Sequence, residues 1–589
     1  MTTKYLGYTG IPANADLDAL AADAAAGAAA YAVAAAAEAS AAAANTFIQA
    51  GTGAIVRTPQ NKAREWVSVK DFGANGTGGD DTAAFQAAAN ALVATGGEIR
   101  VPVPGRYGLA SQVLVKSKYP IHFVSEMGAV TDIASSGVYA GSYIFPMNNI
   151  SGSLIRYESP TATRGDAGGG TVRGLTFLDA SNLSAVSVTA RRQYTMTAAV
   201  DFYDAPFGRV MDCYFSYLKG SAIRTNFWVM GSISGGAIRY CGAPSKPAIY
   251  VSSTDATYYS QSGIIKNIPC EVNFDAEYIQ LDARSRNIKV RSVGFESDSV
   301  ANPTSGQTFL NDLGTNNSYN QNHFNRTSAT ALVTGNYGKG TLNEFEGHTG
   351  LSVQMAGVGG RLTANSFYAN IVEQSVAVAG TSNSFVGNTL GYSGGIVSTG
   401  NQAMVDENNI YEPQQTSGYV LDYPVGPLAG SCANNTIRFA VLSATVGGIR
   451  SSTGYLPITG NKVYNALVGI YLDTTTNTVS QNNVISCTTP IDGIPNFWTA
   501  NTLTGNPGWA DEACGIAFVP NGSTFVVFAH GLPVTPSLRH ISVCPADSMG
   551  AAVKCYIDGI TSTDLTVKVD VNPGIVSGAG IAWRVRLAG

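Results

Sequence analysis

"NHFNRT" (322–327), "NEFEGHTG" (343–350) and "NSFYAN" (365–370) open alike: asparagine, a variable residue, then an apolar one, 21 and 22 residues apart. The triplet continues as "NSF" at 383, "NNI" at 408, "NTI" at 435, "NKV" at 461, "NNV" at 482 and "NTL" at 501. The later spacings are 18, 25, 27, 26, 21 and 19 residues. Coils of this length, built from short strands and tight turns, describe a parallel β-helix. Asparagine tolerates the left-handed turn conformation and can stack its amide on the coil above. Two residues later the Phe, Ile or Val points the same way, into the core. Each such burial contributes roughly 1.5–3 kcal/mol, repeated rung after rung. A sandwich would show hairpin signals at denser spacing.

Composition agrees with a β-rich, turn-rich chain: 66 glycines and 28 tyrosines in 589 residues. The net charge of −5 and pI near 5.6 argue against a nucleic-acid partner, which needs a basic patch. The most apolar stretch, 24–37, is nearly all alanine and too short and weakly hydrophobic to span a membrane. "MTTKYLGYTGIP" lacks a secretory core, so ordinary secretion is not expected. Eight scattered cysteines, without a CxxC, read as buried thiols in a reducing compartment; Cys544 and Cys555 could face each other across a hairpin. No calcium-loop pattern occurs, so neither a metal nor another cofactor is implied.

Residues 16–44, rich in alanine, read as a helix that starts at Asp16 and Asp18 and stops at Asn45. An isolated alanine helix is marginal, so its small side chains suit an oligomeric stalk. "GTGAIVRTPQNKAREW" (51–66) forms a neck, and residues 1–65 together make an N-terminal unit. "VSVKDFGANGTGGDDTAAFQAAANAL" (67–92) gives a strand, a glycine-rich turn, an N-cap at Asp80 or Asp81, and a helix over about 81–93 with Phe85 and Leu92 on its apolar side. The turn lacks the GK[ST] ending of a phosphate loop. Strands dominate from 96, and the coil domain runs over 66–505. Beyond "NPGWADEACG" (506–515) apolar and polar residues alternate between turns, which predicts a separate antiparallel β-sandwich over 506–589.

The segment "VSVKDFGANGTGGDDTAAFQAAANAL…GGEIRVPVPGRYGLASQVLV" resembles the opening of pectate-lyase-like right-handed β-helices, above all those of phage tailspike depolymerases. "VKDFGA", "DDTAAFQAAANA" and "VPVPGRY" carry the match, and the neck is similar to the junction where such spikes leave their virion-anchoring part. The resemblance implies an all-β fold: a right-handed parallel β-helix with an N-terminal helical stalk and a C-terminal sandwich. It implies a homotrimer in the virion tail, joined through its N-terminus to a baseplate or adaptor protein. It also implies binding and cleavage of bacterial capsular or O-antigen polysaccharide. It assigns no catalytic residues, because members place their acids on different rungs.

Strand parity supplies candidates. With Asn343 and Phe345 inward, Glu344, Glu346 and His348 point outward. The same registration puts Glu296 and Asp298 outside in "VGFESD" (293–298), His323, Asn325 and Thr327 in "NHFNRT", and Ser366, Tyr368 and Asn370 in "NSFYAN". Stacked strands would gather Glu296, Asp298, His323, Glu344, Glu346, His348 and Tyr368 into one patch, with Glu373 in a supporting position. The long segment "SDSVANPTSGQTFLNDLGTNNSYNQ" between Phe295 and Asn322 suits a cleft wall. Glycoside hydrolysis needs a carboxylic acid for the leaving oxygen and a second carboxylate as base or nucleophile. Stacked like charges raise one pKa, which suits the acid. Glu296 and Glu346, two rungs apart, fit an inverting pair; Glu344 and Glu346, on one strand, could instead converge. The bland alternative is a solvated strand face. Rival clusters are Asp201 with Asp204, Asp275 with Glu277, and Asp406 with Glu407 and Glu412.

Three functions compete: an endo-acting glycoside hydrolase, a polysaccharide lyase using His323, His348 or Tyr368 as base on a uronic acid, and a non-catalytic glycan-binding adhesin. His530 and His540 lie in or beside turns without acidic neighbours and read as structural.

Overall fold

The computed structural model of the chain describes residues 14–44 and 66–586, apart from 126–141, 162, 180–190, 255–256, 272, 274–276, 298–307, 371, 425–429, 453, 475–476, 494–501, 505–511, 531, 533–534, 537, 547–548 and 575–577. The neck (51–65), Asp275, Asp298 and the boundary at 505–506 lie outside the described residues.

The chain divides into two compact units, 1–67 and 68–589. The first contains α1 (Asn14–Ala44), two residues longer at its start than the alanine run predicts. Every described side chain on α1 is exposed, including Tyr31 and Val33 at 79% and 70%. No described helix is long and apolar enough to cross a membrane.

The second unit begins with the glycine-rich turn and α2 (Thr82–Ala91), shorter than predicted at both ends. The two aspartates divide the work at its start. Asp80 Oδ1 accepts from the Thr82 N–H at 3.0 Å, while the buried Asp81 carboxylate accepts from Asn75 N–H at 2.9 Å and holds the turn. Phe85 and Leu92 are buried as the apolar face requires.

From there the chain winds through three long parallel sheets of 17, 16 and 15 strands. One coil runs Lys339–Thr341, Glu344–Glu346 and Val353–Met355, and the next repeats it with Arg361–Thr363, Ser366–Tyr368 and Gln374–Val378. This is a parallel β-helix. Its core is a column of side chains in strict register: Phe295, Phe324, Phe345 and Phe367 stack with centroids 4.7, 4.7 and 4.6 Å apart and planes within 5°. Leu390, Ile410, Ile437 and Val463 continue the column, all fully buried.

From the Phe324 strand onward, the corner before each of these strands carries an asparagine ladder. Asn322, Asn343, Asn365, Asn388, Asn408, Asn435, Asn461 and Asn482 each bond to the next: the amide Nδ2 and the backbone N–H of one both donate to the Oδ1 of its successor, at 2.9–3.1 Å. Two triplets of the sequence reading do not belong. "NSF" at 383 leads into Ser384–Val386 of the 17-stranded sheet, and the ladder position of that coil is Asn388. "NTL" at 501 likewise enters the 17-stranded sheet, as Thr502–Thr504. Asn383 thus carries the triplet's letters at a different corner. Nor do the ladder asparagines take the left-handed conformation. The residue before each does, as with Gln321 (φ 57°), Leu342 (55°) and Ala364 (54°), which frees the asparagine to point inward.

The segment 297–321 is no cleft wall over its described part. Leu310–Asp312 and Ser318–Asn320 are ordinary rungs of the 15- and 17-stranded sheets.

Residues 512–586 form two three-stranded antiparallel sheets: Glu512–Val519, Ala579–Arg586 and Ile541–Pro545 in one, Phe525–Ala529, Asp564–Val569 and Cys555–Ile560 in the other. Phe528 and Trp583, with centroids 4.9 Å apart, join them. Cys544 and Cys555 sit on different sheets, so no shared hairpin pairs them, and all eight cysteines are free.

Candidate functional site

The outward positions of the 16-stranded sheet form two columns along the coil axis. One holds Glu271, Glu296, Asn325, Glu346, Tyr368, Gly391 and Tyr411 in register; beside it stand His323, Glu344 and Ser366. Parity therefore places Glu296, His323, Glu344, Glu346 and Tyr368 on one face.

Three of them converge. A ring nitrogen of His323 and one carboxylate oxygen from each of Glu344 and Glu346 lie within 4.8 Å of one another. His323 Nε2 stands 3.4 Å from Glu346 Oε2, with both side chains a little under half exposed. Two carboxylates and an imidazole could also ligate a divalent cation. Glu296 lies two coils from Glu346, so their backbones are about 9–10 Å apart. Glu271, next in Glu296's column, is committed to an ion pair with Arg239 at 2.8 Å.

His348 departs from the prediction. Parity fails because Gly347 adopts φ 66°, turning the chain through the second corner, and His348 is completely buried. Its Nδ1 accepts from the Thr327 N–H at 3.1 Å and its own N–H donates to Asn370 Oδ1 at 2.9 Å. Burial beside Phe309 and Phe345 holds its pKa down at about 4, so it is a neutral core residue. Thr327 and Asn370, also expected outside, are buried at the same corner for the same reason. Glu373 lies off the 16-stranded sheet, ahead of Gln374–Val378, where its Oε1 accepts from Thr416 Oγ1 at 2.7 Å.

Three of the rival carboxylates, Asp201, Asp204 and Asp406, are engaged elsewhere. Asp201 is fully buried, and that burial raises its pKa although Arg224 and Arg156 flank it in register. Asp204 pairs with Arg164 at 3.5 Å. Asp406 accepts from Ser431 Oγ and the Ala433 N–H at 2.6 and 2.7 Å, and Glu407 and Glu412 occupy left-handed corners. Asp422, on the 15-stranded sheet, is held by Arg450 in a two-pronged pair at 2.7 and 2.9 Å.

Sequence reasoning stopped at Tyr368, but the aromatic run continues. Tyr368 and Tyr392 meet edge-on at 5.7 Å, and Tyr392 meets Tyr411 at 5.9 Å. Tyr368 and Tyr392 are nearly half exposed, giving an open tyrosine ridge that starts beside Glu346. Gly391 leaves room beneath it for the end of the Tyr411 ring, which a Cβ there would push aside. Extending the parity rule to "NNIYEP" finds Tyr411, next to the inward Ile410. In "LGYSGG" parity would turn Tyr392 inward with Leu390, and it reaches the surface because it holds the left-handed corner at φ 49°.

Several solved structures are similar to this chain. The Dettilon tailspike protein matches at 10% identity over 90% of this chain and 96% of its own, with a TM-score of 0.41. Tailspike protein 3 of bacteriophage CBA120 matches at 13% identity over 79% of this chain, with a TM-score of 0.39; the match spans 66% of that protein's length. A DFA-IIIase from Arthrobacter chlorophenolicus A6, solved in complex with GF2, matches at 14% identity over 64% of this chain and 94% of its own, with a TM-score of 0.41. No protein-family profile and no curated protein matches.

Proposed function

We propose that the chain is a phage tailspike that binds bacterial capsular or O-antigen polysaccharide and cleaves it by endo-glycosidic hydrolysis. The convergence of Glu344 and Glu346 beside His323 on an outward face carries the reading. One carboxyl group protonates the leaving oxygen while the other attacks the anomeric carbon, and water then releases the glycosyl group. Such retaining pairs stand roughly 5–5.5 Å apart, which suits Glu344 and Glu346; Glu296 with Glu346 is the wider, inverting alternative. A His323 N–H donated to Glu346 Oε2 leaves the other oxygen free for attack, so Glu346 is the nucleophile and Glu344 the acid. Tyr368 and the ridge beyond it hold the sugar chain. The experiment is depolymerisation of host polysaccharide by Glu344→Gln and Glu346→Gln: full activity in both overturns the assignment.

A lyase reading is favoured by one observation, the accessible His323 imidazole, which could take the C5 proton of a uronic acid. Ultraviolet absorbance from an unsaturated product end would select it. An adhesin would clear no halo on a bacterial lawn.

The assembly belongs to the same proposal: a right-handed coil forming a homotrimer in the virion tail, with residues 1–65 attaching to the baseplate or an adaptor protein and α1 as a stalk. The two C-terminal sheets make a sandwich that helps assemble the trimer. Their outer faces expose Ile516, Phe518, Phe525 and Val527, each more than half accessible, the apolar surface that identical partners would cover.

A further inference from the structure

The outer face of the 17-stranded sheet is cationic over much of its length. Its two outward columns run, in register, through Thr171, Arg209, Ser232, Ile264, Lys289, Ser318, Lys339, Arg361 and Ser384, and through Arg173, Met211, Ser234, Lys266, Arg291, Asn320, Thr341, Thr363 and Val386. Seven of the chain's 35 lysines and arginines stand there, and neither column holds a carboxylate over these rungs. Six of the seven are exposed and Lys266 is half-buried. None is ion-paired to a described residue. One carboxylate, Asp212, follows Met211 at the corner; Glu98 and Asp406 lie on rungs beyond either end. In a chain of net charge −5 this is strong segregation of sign.

We propose that this face is a second glycan-binding surface, separate from the carboxylate face, that takes a polysaccharide bearing carboxylate groups at intervals along its length. The inference rests on the glycan reading above and specifies the chemical class of the polymer.

Three features select this occupant. From Arg173 to Arg361 the cations span seven rung spacings, about 34 Å, or roughly one charge every 5 Å. Duplex DNA carries one every 1.7 Å or so, so the stripe matches a sparser polyanion. Between the cations the columns offer Thr171, Ser232, Ser234, Ser318, Asn320, Thr341 and Thr363, short hydroxyls and amides that suit sugar hydroxyls. Neither column contains an aromatic residue, so nothing there stacks on bases as single-stranded nucleic acid requires. The arrangement also gives the surface a steering role, since a field of one sign raises the encounter rate with an oppositely charged polymer.

The test uses the full-length protein with three probes: polygalacturonate, neutral dextran and an oligo(dT) strand. The wild type should bind polygalacturonate, ignore dextran, and lose binding as salt rises. The variant Lys289→Gln/Arg291→Gln/Lys339→Gln/Arg361→Gln, changed only at exposed positions, should keep its thermal midpoint and assembly mass. Its affinity for polygalacturonate should fall about tenfold or more. Undiminished binding by this variant, equal binding of dextran, or tighter binding of oligo(dT) would each overturn the proposal. A changed assembly mass would overturn it too, by making the stripe a contact between copies. Glu344→Gln and Glu346→Gln separate this from the catalytic reading. They should bind polygalacturonate like the wild type, so a carboxylate assignment that fails leaves the cationic surface standing, and the reverse also holds.

Discussion

His323 Nε2 and Glu346 Oε2 lie 3.4 Å apart on adjacent coils, joining two residues that the sequence separates by 23 positions. The contact is possible because Asn325, not His323, is the register partner of Glu346, so imidazole and carboxylate meet diagonally across the sheet. Loss of general acid or base assistance costs about 10²–10⁴-fold in rate. Glu346→Gln and Glu344→Gln should each fall in that range, with polysaccharide binding and trimer mass unchanged. Glu296→Gln should retain activity if the retaining pair is correct. A severe loss in Glu296→Gln with near-normal Glu344→Gln would move the chemistry to the wider, inverting pair.

His348 gives a pH dependence that is independent of catalysis. Burial holds its pKa at about 4 in the folded chain, against an ordinary value of 6.5. Between those values the unfolded chain binds more protons than the folded one. The stabilisation is therefore complete above pH 6.5 and is lost as pH falls toward 4, by about 3 kcal/mol. His348→Asn keeps an acceptor for the Thr327 N–H and removes the titration. Denaturant midpoints at pH 4.5 and 7 should differ less in this variant than in the wild type; equal differences would place the histidine in solvent.

The asparagine ladder should be as sensitive as the core column. Asn408 Oδ1 accepts from both Asn388 N–H and Nδ2, while its own Nδ2 donates to Asn435 Oδ1 and the Phe385 carbonyl. Asn408→Ala strands two buried donors and should cost about 2–5 kcal/mol. Asn409→Ala, one residue on but outward and exposed, should change stability by less than about 0.5 kcal/mol. Equilibrium unfolding of the two variants side by side decides it.

Assembly is expected to depend on the C-terminal sheets. Phe518 and Val527 are each over half exposed although they stand on regular strands. Phe518→Ser and Val527→Ser should lower trimer yield by light scattering while leaving the coil domain folded. Deleting residues 1–50 should instead leave an active trimer that no longer attaches to a virion. A wild-type protein of monomeric mass at micromolar concentration would refute the trimer.

The coil and its core were legible because buried parallel strands impose a strict period: Phe324, Phe345 and Phe367 announce themselves by spacing alone. Outward residues are legible only within a strand. Parity placed Glu344 and Glu346 correctly, yet failed two residues later, because a single left-handed residue at Gly347 resets which way the chain faces. Asn383 misled for a related reason: all three corners of the coil accept asparagine, as Asn365, Asn370 and Asn383 show, and the letters do not say which corner is meant. The cationic stripe was hidden by counting charge over the whole chain. Net charge sums over faces that never meet, whereas register separates Lys339 and Arg361 from Glu344 and Glu346.

The tyrosine ridge supplies the last prediction. Tyr368 follows Glu346 in register, and Tyr392 and Tyr411 extend the aromatic surface along the axis, away from the carboxylates. Groups that hold remote sugar units bind ground state and transition state alike, so their loss should raise KM and leave kcat nearly unchanged. An aromatic contact is worth about 0.5–1.5 kcal/mol, so Tyr392→Ala should raise KM by roughly 2–13-fold. Gly391→Val should do the same without replacing a tyrosine, because its side chain would displace the Tyr411 ring. Tyr368 distinguishes the two chemistries. As a platform it needs only its ring, and Tyr368→Phe should work normally; as the base of a lyase it needs its hydroxyl, and the same variant would lose kcat at unchanged KM.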